Sequence, residues 1–176
     1  LAKVLHPIAG RPMLAHVLAI AKDLGAEHIV VVTAPGAHDV AGLAAEWGAE
    51  AVVQERQLGT GHAVLTAEEK LKGFDGNLLV LFGDAPLLTA ATLRRLIERL
   101  DQNADLTTLG FRAADPTGYG RMVAEDDQLV RIVEHKDASE NERRIDLCFA
   151  GMLAGPAGTI FELLHRVDNR NAQGEF

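Results

Sequence analysis

Short strand-like runs, the first of them β-branched and nearly all apolar, alternate with stretches of helical periodicity over the first two-thirds of this chain. That alternation restricts the fold more than any other feature. The runs lie at 28–33 (HIVVVT), 51–54 (AVVQ), 77–82 (NLLVLF) and 105–112. A strand covered on both faces reads in this way, as a continuous apolar run. Between the runs lie helical patterns. One spans 13–24, with Leu14, Val17, Leu18, Ala21 and Leu24 on one stripe and Gly25 as its stop. Others span 38–47 and 61–71, the latter capped by Thr60. A fourth, opened by Thr89, carries Leu93, Leu96, Ile97 and Leu100. Such repetition predicts βαβ units, a mostly parallel sheet and helices on both faces. After Asp115 the texture changes. Strand-like runs at 120–124 and 128–134 flank an acidic Glu125-Asp126-Asp127 turn, a late β-hairpin insertion. A strand at 145–154 follows, then a helix at 156–167 with proline in its first turn. The expectation is one α/β domain over residues 1–176.

Charge narrows the ligands. Lysine plus arginine is 17 and aspartate plus glutamate 25, a formal net charge of −8. A chain this acidic lacks the broad basic field that nucleic acid or anionic lipid requires. An anionic ligand must instead be held by a few placed donors. Cys148 is the single cysteine, so no internal disulfide can form, in keeping with a reducing, cytoplasmic setting. No apolar run approaches the roughly 20 residues of a membrane span.

In open α/β sheets, ligands bind beyond the C-terminal ends of the strands. After the run at 51–54 come Gln54 and then Gly59-Thr60-Gly61, where a helix begins. Glycines admit a ligand to the backbone, and free N–H groups at a helix start suit an anion. The same residues equally make a plain strand–helix turn. The Gln54 amide carries a donor and an acceptor side that match a uracil edge, yet one glutamine also reads as a solvated loop residue. After 77–82 come Gly83 and Asp84. A strand-end carboxylate can hold Mg²⁺, which takes oxygen ligands and keeps several waters, or it can close a turn before Pro86. Gly120, inside a strand pattern, marks either a close ligand approach or a bulge. Glu134 and Lys136 suit sugar hydroxyls and a phosphate respectively, or form a solvated charged run. The seven histidines show no metal-ligand spacing, and Cys148 reads as core.

Read together, the segments KVLH at 3–6, GRPM at 10–13, QLGTGHA at 57–63, FGDAPL at 82–87, DPTGYGR at 115–121, VEHKDA at 133–138 and NAQGEF at 171–176 occur in one order. That order resembles the N-terminal uridylyltransferase domain of the bacterial bifunctional N-acetylglucosamine-1-phosphate uridylyltransferase / glucosamine-1-phosphate N-acetyltransferase family, over nearly the whole chain. The resemblance implies a Rossmann-like nucleotidyltransferase fold. It implies that UTP and N-acetylglucosamine 1-phosphate are the substrates, UDP-N-acetylglucosamine and pyrophosphate the products, and Mg²⁺ the cofactor. By position, Lys3 matches the lysine facing the nucleotide phosphates and Gln54 the uracil reader. Gly59 and Thr60 match the uridine-contacting pair. Phe82, Gly83 and Asp84 match the strand-end tripeptide, Asp84 being the metal ligand and Phe82 standing where tyrosine is common. Gly120 and Glu134 match contacts to the amino sugar.

The resemblance also implies that the family's first strand and glycine-rich loop lie before Leu1. By the same resemblance the segment with a second metal ligand, an asparagine, would lie beyond Phe176, and the left-handed β-helix acetyltransferase domain through which the family forms trimers is absent from these residues. Phe149 departs from the pattern, standing where an asparagine usually contacts the sugar. Two other readings stay open on the sequence: a related sugar-phosphate nucleotidyltransferase of different specificity, and a non-catalytic nucleotide-binding module.

Overall fold

The computed structural model describes residues 1–102, 104–126 and 128–167. NAQGEF at 171–176 lies outside the described residues, as does Asp127 of the acidic turn.

A 3₁₀ turn at Lys3–Leu5 leads into a minimal hairpin, β1 (Pro7–Ile8) and β2 (Arg11–Pro12). Ala9 and Gly10 between them have φ of 50° and 78°, the positive values a two-residue hairpin turn needs to follow strand twist. Helix α1 (Met13–Asp23) buries Leu14, Ala15, Val17 and Leu18. It stops where the sequence placed the stop. Gly25, at φ 76°, donates to the Lys22 carbonyl and Ala26 donates to the Ala21 carbonyl, the paired bonds of a glycine-terminated helix.

β3 (Val30–Thr33), α2 (His38–Glu46) and β4 (Glu50–Val53) form a βαβ unit with β3 and β4 parallel, Val30 opposite Glu50 and Thr33 opposite Val53. Alternation along β3 places helices on both faces. Val31 packs with Leu14, Leu18, Val40 and Ala44 of α1 and α2. Val30 packs on the opposite face with Val64, Leu71 and Phe161. That second face is covered by α3 (Thr60–Thr66) and α6 (Ala157–Leu164). Each fully buried leucine of these clusters contributes about 1.5–3 kcal/mol.

The other sheet is organised by its last strand. β5 (Asn77–Val80), β6 (Thr107–Arg112) and β7 (Arg121–Glu125) all pair antiparallel with β9 (Leu147–Pro156), and β8 (Gln128–Val133) closes the late hairpin on β7. α4 (Ala90–Glu98) packs Leu93 and Leu96 against Met152 and Ala154 of β9, and the single-turn α5 (Glu140–Arg143) links β8 to β9. Leu153 lies opposite Val80 on one edge and Thr108 on the other, while Cys148 lies opposite Arg121 and Phe111. One edge of β9 is therefore filled by β6 along its length. The other is shared in series, first by β7 and then by β5.

The Rossmann-like α/β class and the late hairpin stand, but the expected mostly parallel sheet needs correction. Among the described pairings only β3 with β4 is parallel. The cause is β9, which inserts antiparallel between β5 and β6. Local periodicity does not record which strand becomes whose neighbour. A second correction concerns 61–71. The α-helix ends at Thr66 and continues as a 3₁₀ turn, Glu68–Leu71. Thr60 is its first residue, not its cap. Gly59 holds the cap position at φ 104°, and the Thr60 hydroxyl makes no capping bond. Thr89 does cap α4, accepting from the Thr92 amide.

β3 and β5 do not pair with each other. Their residues, Val30 to Val32 and Leu78 to Val80, line a cavity of about 1200 Å³. Each strand has a described partner on one edge only.

Halfway along β9, Gly151 has φ 85°, and a Cβ there would sit 1.8 Å from the Phe82 ring. Gly151→Ala therefore meets both a left-handed backbone and a ring with no room, and should lose about 3 kcal/mol in chemical denaturation. Gly158→Ala, in α6 with open space around it, should instead gain about 0.5–1 kcal/mol in the same assay.

Candidate functional site

The first group of site residues forms where β4 ends. The Gln54 amide N–H donates to the Thr33 carbonyl at 2.8 Å, extending the β3–β4 ladder by one residue. Its side chain, only 9% exposed, turns back over the loop. Nε2 donates to the Gly59 carbonyl at 3.1 Å and meets His62 Nδ1 at 2.9 Å. Gly59 supplies a backbone conformation, φ 104° and ψ 177°, that residues with a Cβ avoid. Thr60 is exposed beside it.

The second group sits at the tip of β5. The Phe82 ring packs onto Gly151. A Cβ on Gly83 would touch Leu14 and Val4 at 3.4 Å, so glycine lets the turn lie close over α1. Asp84 then reaches outward, and Lys3 Nζ lies 2.6 Å from its Oδ2. With side-chain exposures of 76% and 35%, the pair contributes at most about 1 kcal/mol to stability. Its significance lies in placement: it holds a lone cation against a strand-end carboxylate.

The third group belongs to the hairpin. Gly120 is buried, and a Cβ there would meet Glu134 Oε1 at 3.1 Å. The carboxylate thus lies directly against the Gly120 backbone. The Gly120 carbonyl accepts from the Phe149 amide at 2.9 Å, which fixes the hairpin to β9. Arg121 beside it is 1% exposed with no carboxylate partner among the described residues. It bonds the Tyr119 carbonyl, His135 Nδ1 at 3.1 Å and the Arg143 carbonyl at 3.5 Å. Its Nε has no partner among the described residues. The sequence treated Arg121 only as part of a turn. The available signal was an arginine at a strand position whose neighbour, Met122, is also core. Cys148 is fully buried, as expected. Lys136 is exposed.

Gln54, Gly59, Thr60, Phe82 and Gly83 line one cavity, the same space that separates β3 from β5. Lys3 and Asp84 do not line it but continue from its Gly83 rim. Gly120 and Glu134 also lie outside the lining. They join Phe82 through β9, where Phe149 bonds Gly120 and Gly151 carries the ring. The strand-end residues thus fall into two adjacent groups on β4 and β5 and a third farther along the same edge of β9. His62 adds a contact that the sequence does not reveal, since within the QLGTGHA segment nothing marks it as the partner of Gln54.

No group of three or more His, Cys, Asp or Glu side chains among the described residues is arranged to hold a metal ion. Asp84 offers one accessible carboxylate. That donor set suits a cation bound through one or two carboxylates, with waters and ligand phosphates completing its shell. No helix among the described residues is long and apolar enough to cross a membrane.

Two carboxylates in the region are held below their ordinary values. The Thr117 amide and then its hydroxyl stabilise the Asp115 carboxylate, with Arg121 adding attraction. The Ser139 hydroxyl and amide do the same for Glu142, which also pairs with Arg131.

Comparison with known proteins places this architecture. The family model for a MobA-like NTP transferase domain matches residues 2–145. The bifunctional protein GlmU of Parvibaculum lavamentivorans is 50% identical over 100% of this chain, and that of Roseobacter denitrificans 48% identical over 100%. The chain spans 39% of the length of each. Among solved structures, an apo UDP-glucose pyrophosphorylase superposes with TM-score 0.79 at 17% identity, covering 99% of this chain and 75% of that one. A UDP-glucose pyrophosphorylase in complex with UDP-glucose gives 0.78 at 18% identity, covering 98% and 74%. At such identities these likenesses speak to the fold alone.

A depressed carboxyl pKa contributes stability that is present above the ordinary value, 3.8 for Asp115, and lost as pH falls through the folded-state midpoint. In an NMR titration the Asp115 carboxyl should therefore titrate below 3.8. Thr117→Pro, which removes the donor N–H and the hydroxyl, should return it toward that value.

Proposed function

We propose, from the fact that this chain belongs to the family of MobA-like NTP transferase domains, that it transfers a uridylyl group from UTP to N-acetylglucosamine 1-phosphate, releasing pyrophosphate and forming UDP-N-acetylglucosamine. The observation that carries this reading is the common cavity of Gln54, Gly59, Thr60, Phe82 and Gly83, with Lys3 and Asp84 paired at its rim. A buried amide suited to a base edge thus stands near a cation and a carboxylate suited to phosphates and a divalent ion. The 50% identity to a GlmU protein across the whole chain supports the choice of substrates.

The sugar phosphate is already ionised near neutral pH, so its oxygen needs no general base. The new bond joins that oxygen to the α-phosphorus of UTP, and the α–β phosphoanhydride bond breaks with its electrons leaving on pyrophosphate. The chain's task is alignment, which can supply about 7–11 kcal/mol of a barrier, and relief of repulsion between two anions. Gln54 orients the base, and the Gly59-Thr60 backbone admits the nucleoside. Lys3 exchanges its hold on Asp84 for the incoming phosphates. Farther along the same edge of β9, Glu134 accepts hydrogen bonds from sugar hydroxyls, and the Gly120 backbone permits the approach. Mg²⁺ held at Asp84 would supply charge neutralisation on the phosphates.

One observation favours a second reading, a different sugar phosphate. Phe149, two residues from Gly151 and bonded through its amide to Gly120, offers no side-chain hydrogen bond where an asparagine would. A panel of sugar 1-phosphates decides between the two, since only the first reading predicts preference for the N-acetylamino sugar.

Asp84→Asn should lower kcat/KM about a thousandfold or more, roughly 4 kcal/mol of transition-state stabilisation, with the thermal midpoint nearly unchanged. Near-normal turnover at ordinary Mg²⁺ would remove Asp84 from the metal site. Gln54→Ala should reduce the preference for UTP over CTP about tenfold, measured as the ratio of kcat/KM values.

A further inference from the structure

The geometry around Gln54 points to a specific mechanism of base selection, one that rests on the nucleotide reading above. We infer that His62 and the Gly59 carbonyl lock the Gln54 side-chain amide with its oxygen outward, so that the site selects a pyrimidine carrying a ring N–H over one whose ring nitrogen is an acceptor.

The orientation of a glutamine amide follows from its partners. The Gly59 carbonyl can only accept, so the Gln54 atom 3.1 Å away must be the nitrogen. The other hydrogen of that nitrogen then points to His62 Nδ1 at 2.9 Å, which must accept and so carries no proton. A neutral imidazole of this kind bears its proton on Nε2. Both amide hydrogens are consumed within the protein. Oε1 has no partner among the described residues, and the one buried side-chain polar atom without a partner is Arg121 Nε. The Gln54 oxygen, in a residue only 9% exposed, therefore opens to solvent at the cavity it lines.

The consequence is chemical. A glutamine free to flip offers either a donor or an acceptor and discriminates poorly. Held in this way it offers an acceptor alone. Uracil presents N3–H to such a group, whereas cytosine presents an N3 lone pair, and two acceptors repel. His62 touches neither base nor phosphate in this scheme. It is a positioning residue that acts through Gln54. Gly59 contributes through its carbonyl, whose direction is set by the positive φ that favours glycine there.

The test uses the intact protein. Binding of UTP and of CTP is measured by calorimetry for the unaltered protein, His62→Leu and His62→Asn, and the His62 ring nitrogens are observed by ¹⁵N NMR. In His62→Leu the UTP over CTP affinity ratio should fall roughly three- to tenfold, the range expected for one neutral hydrogen bond. In His62→Asn, whose Oδ1 can accept where Nδ1 did, the ratio should be restored to within about twofold. NMR of the unaltered protein should show Nδ1 unprotonated and Nε2 protonated. This last measurement needs no variant and stands even if His62→Leu does not fold. A ratio unchanged in His62→Leu, or a proton on Nδ1, overturns the inference while leaving the uridylyl reading intact. Equal affinity of the unaltered protein for UTP and CTP overturns both.

Discussion

The geometry of the site depends on how one strand distributes its hydrogen-bonding edge. β9 gives one edge entirely to β6 and divides the other between β7 and β5. Strands that share an edge end to end must stop near each other, and here the C-terminal tip of β5 and the start of β7 meet over Phe149 and Gly151. The residues after β5 and before β7, from Phe82 to Asp84 and at Gly120, are brought side by side although about forty residues separate them in sequence. Gly151 permits the junction: any side chain there would push the Phe82 ring aside.

The chain's acidity sharpens the meaning of its few placed cations and dipoles. With a net charge of −8, the protein as a whole repels a triphosphate. Local groups must oppose that field. Lys3 at the rim and the glycine-opened backbone at Gly59 are of this kind, and the exposed Asp84 would join them only with a divalent ion bound. Lys3 and Asp84 neutralise each other in the absence of ligand. On the proposed reading most of the work falls to alignment by strand ends, in keeping with a site of amides, carbonyls and two carboxylates, Asp84 and Glu134, with no nucleophile and base pair.

The strands and helices of the first half were legible because their patterns are local. The Gly25 stop, the Thr89 cap and the strand beginning at Asn77 each follow from neighbours within a turn or a strand. The position of β9 between β5 and β6 was not legible, since antiparallel insertion is set by a strand some seventy residues downstream of β5. Thr60 was misplaced by one residue. Its hydroxyl suggested a cap, yet the φ of 104° at Gly59 decides where the helix begins. Strand-end reasoning placed Gln54, Gly83 and Asp84 just beyond strand tips, where the structure has them, since strand tips are predictable from strands. It missed His62 and Arg121, whose roles arise from contacts with a glutamine eight residues back and a histidine across a hairpin. Their partners exist only in three dimensions.

The guanidinium of Arg121 has a mechanical implication. Its bonds tie the hairpin's own ends, the Tyr119 carbonyl and the His135 ring, to the Arg143 carbonyl outside it, and the Asp115 carboxylate adds attraction. An immobile cation at the base of a two-stranded arm acts as a rivet. The arm that carries Gly120 and Glu134 is thereby pinned at its base twice, once to β9 through Cys148 and once to the Arg143 carbonyl.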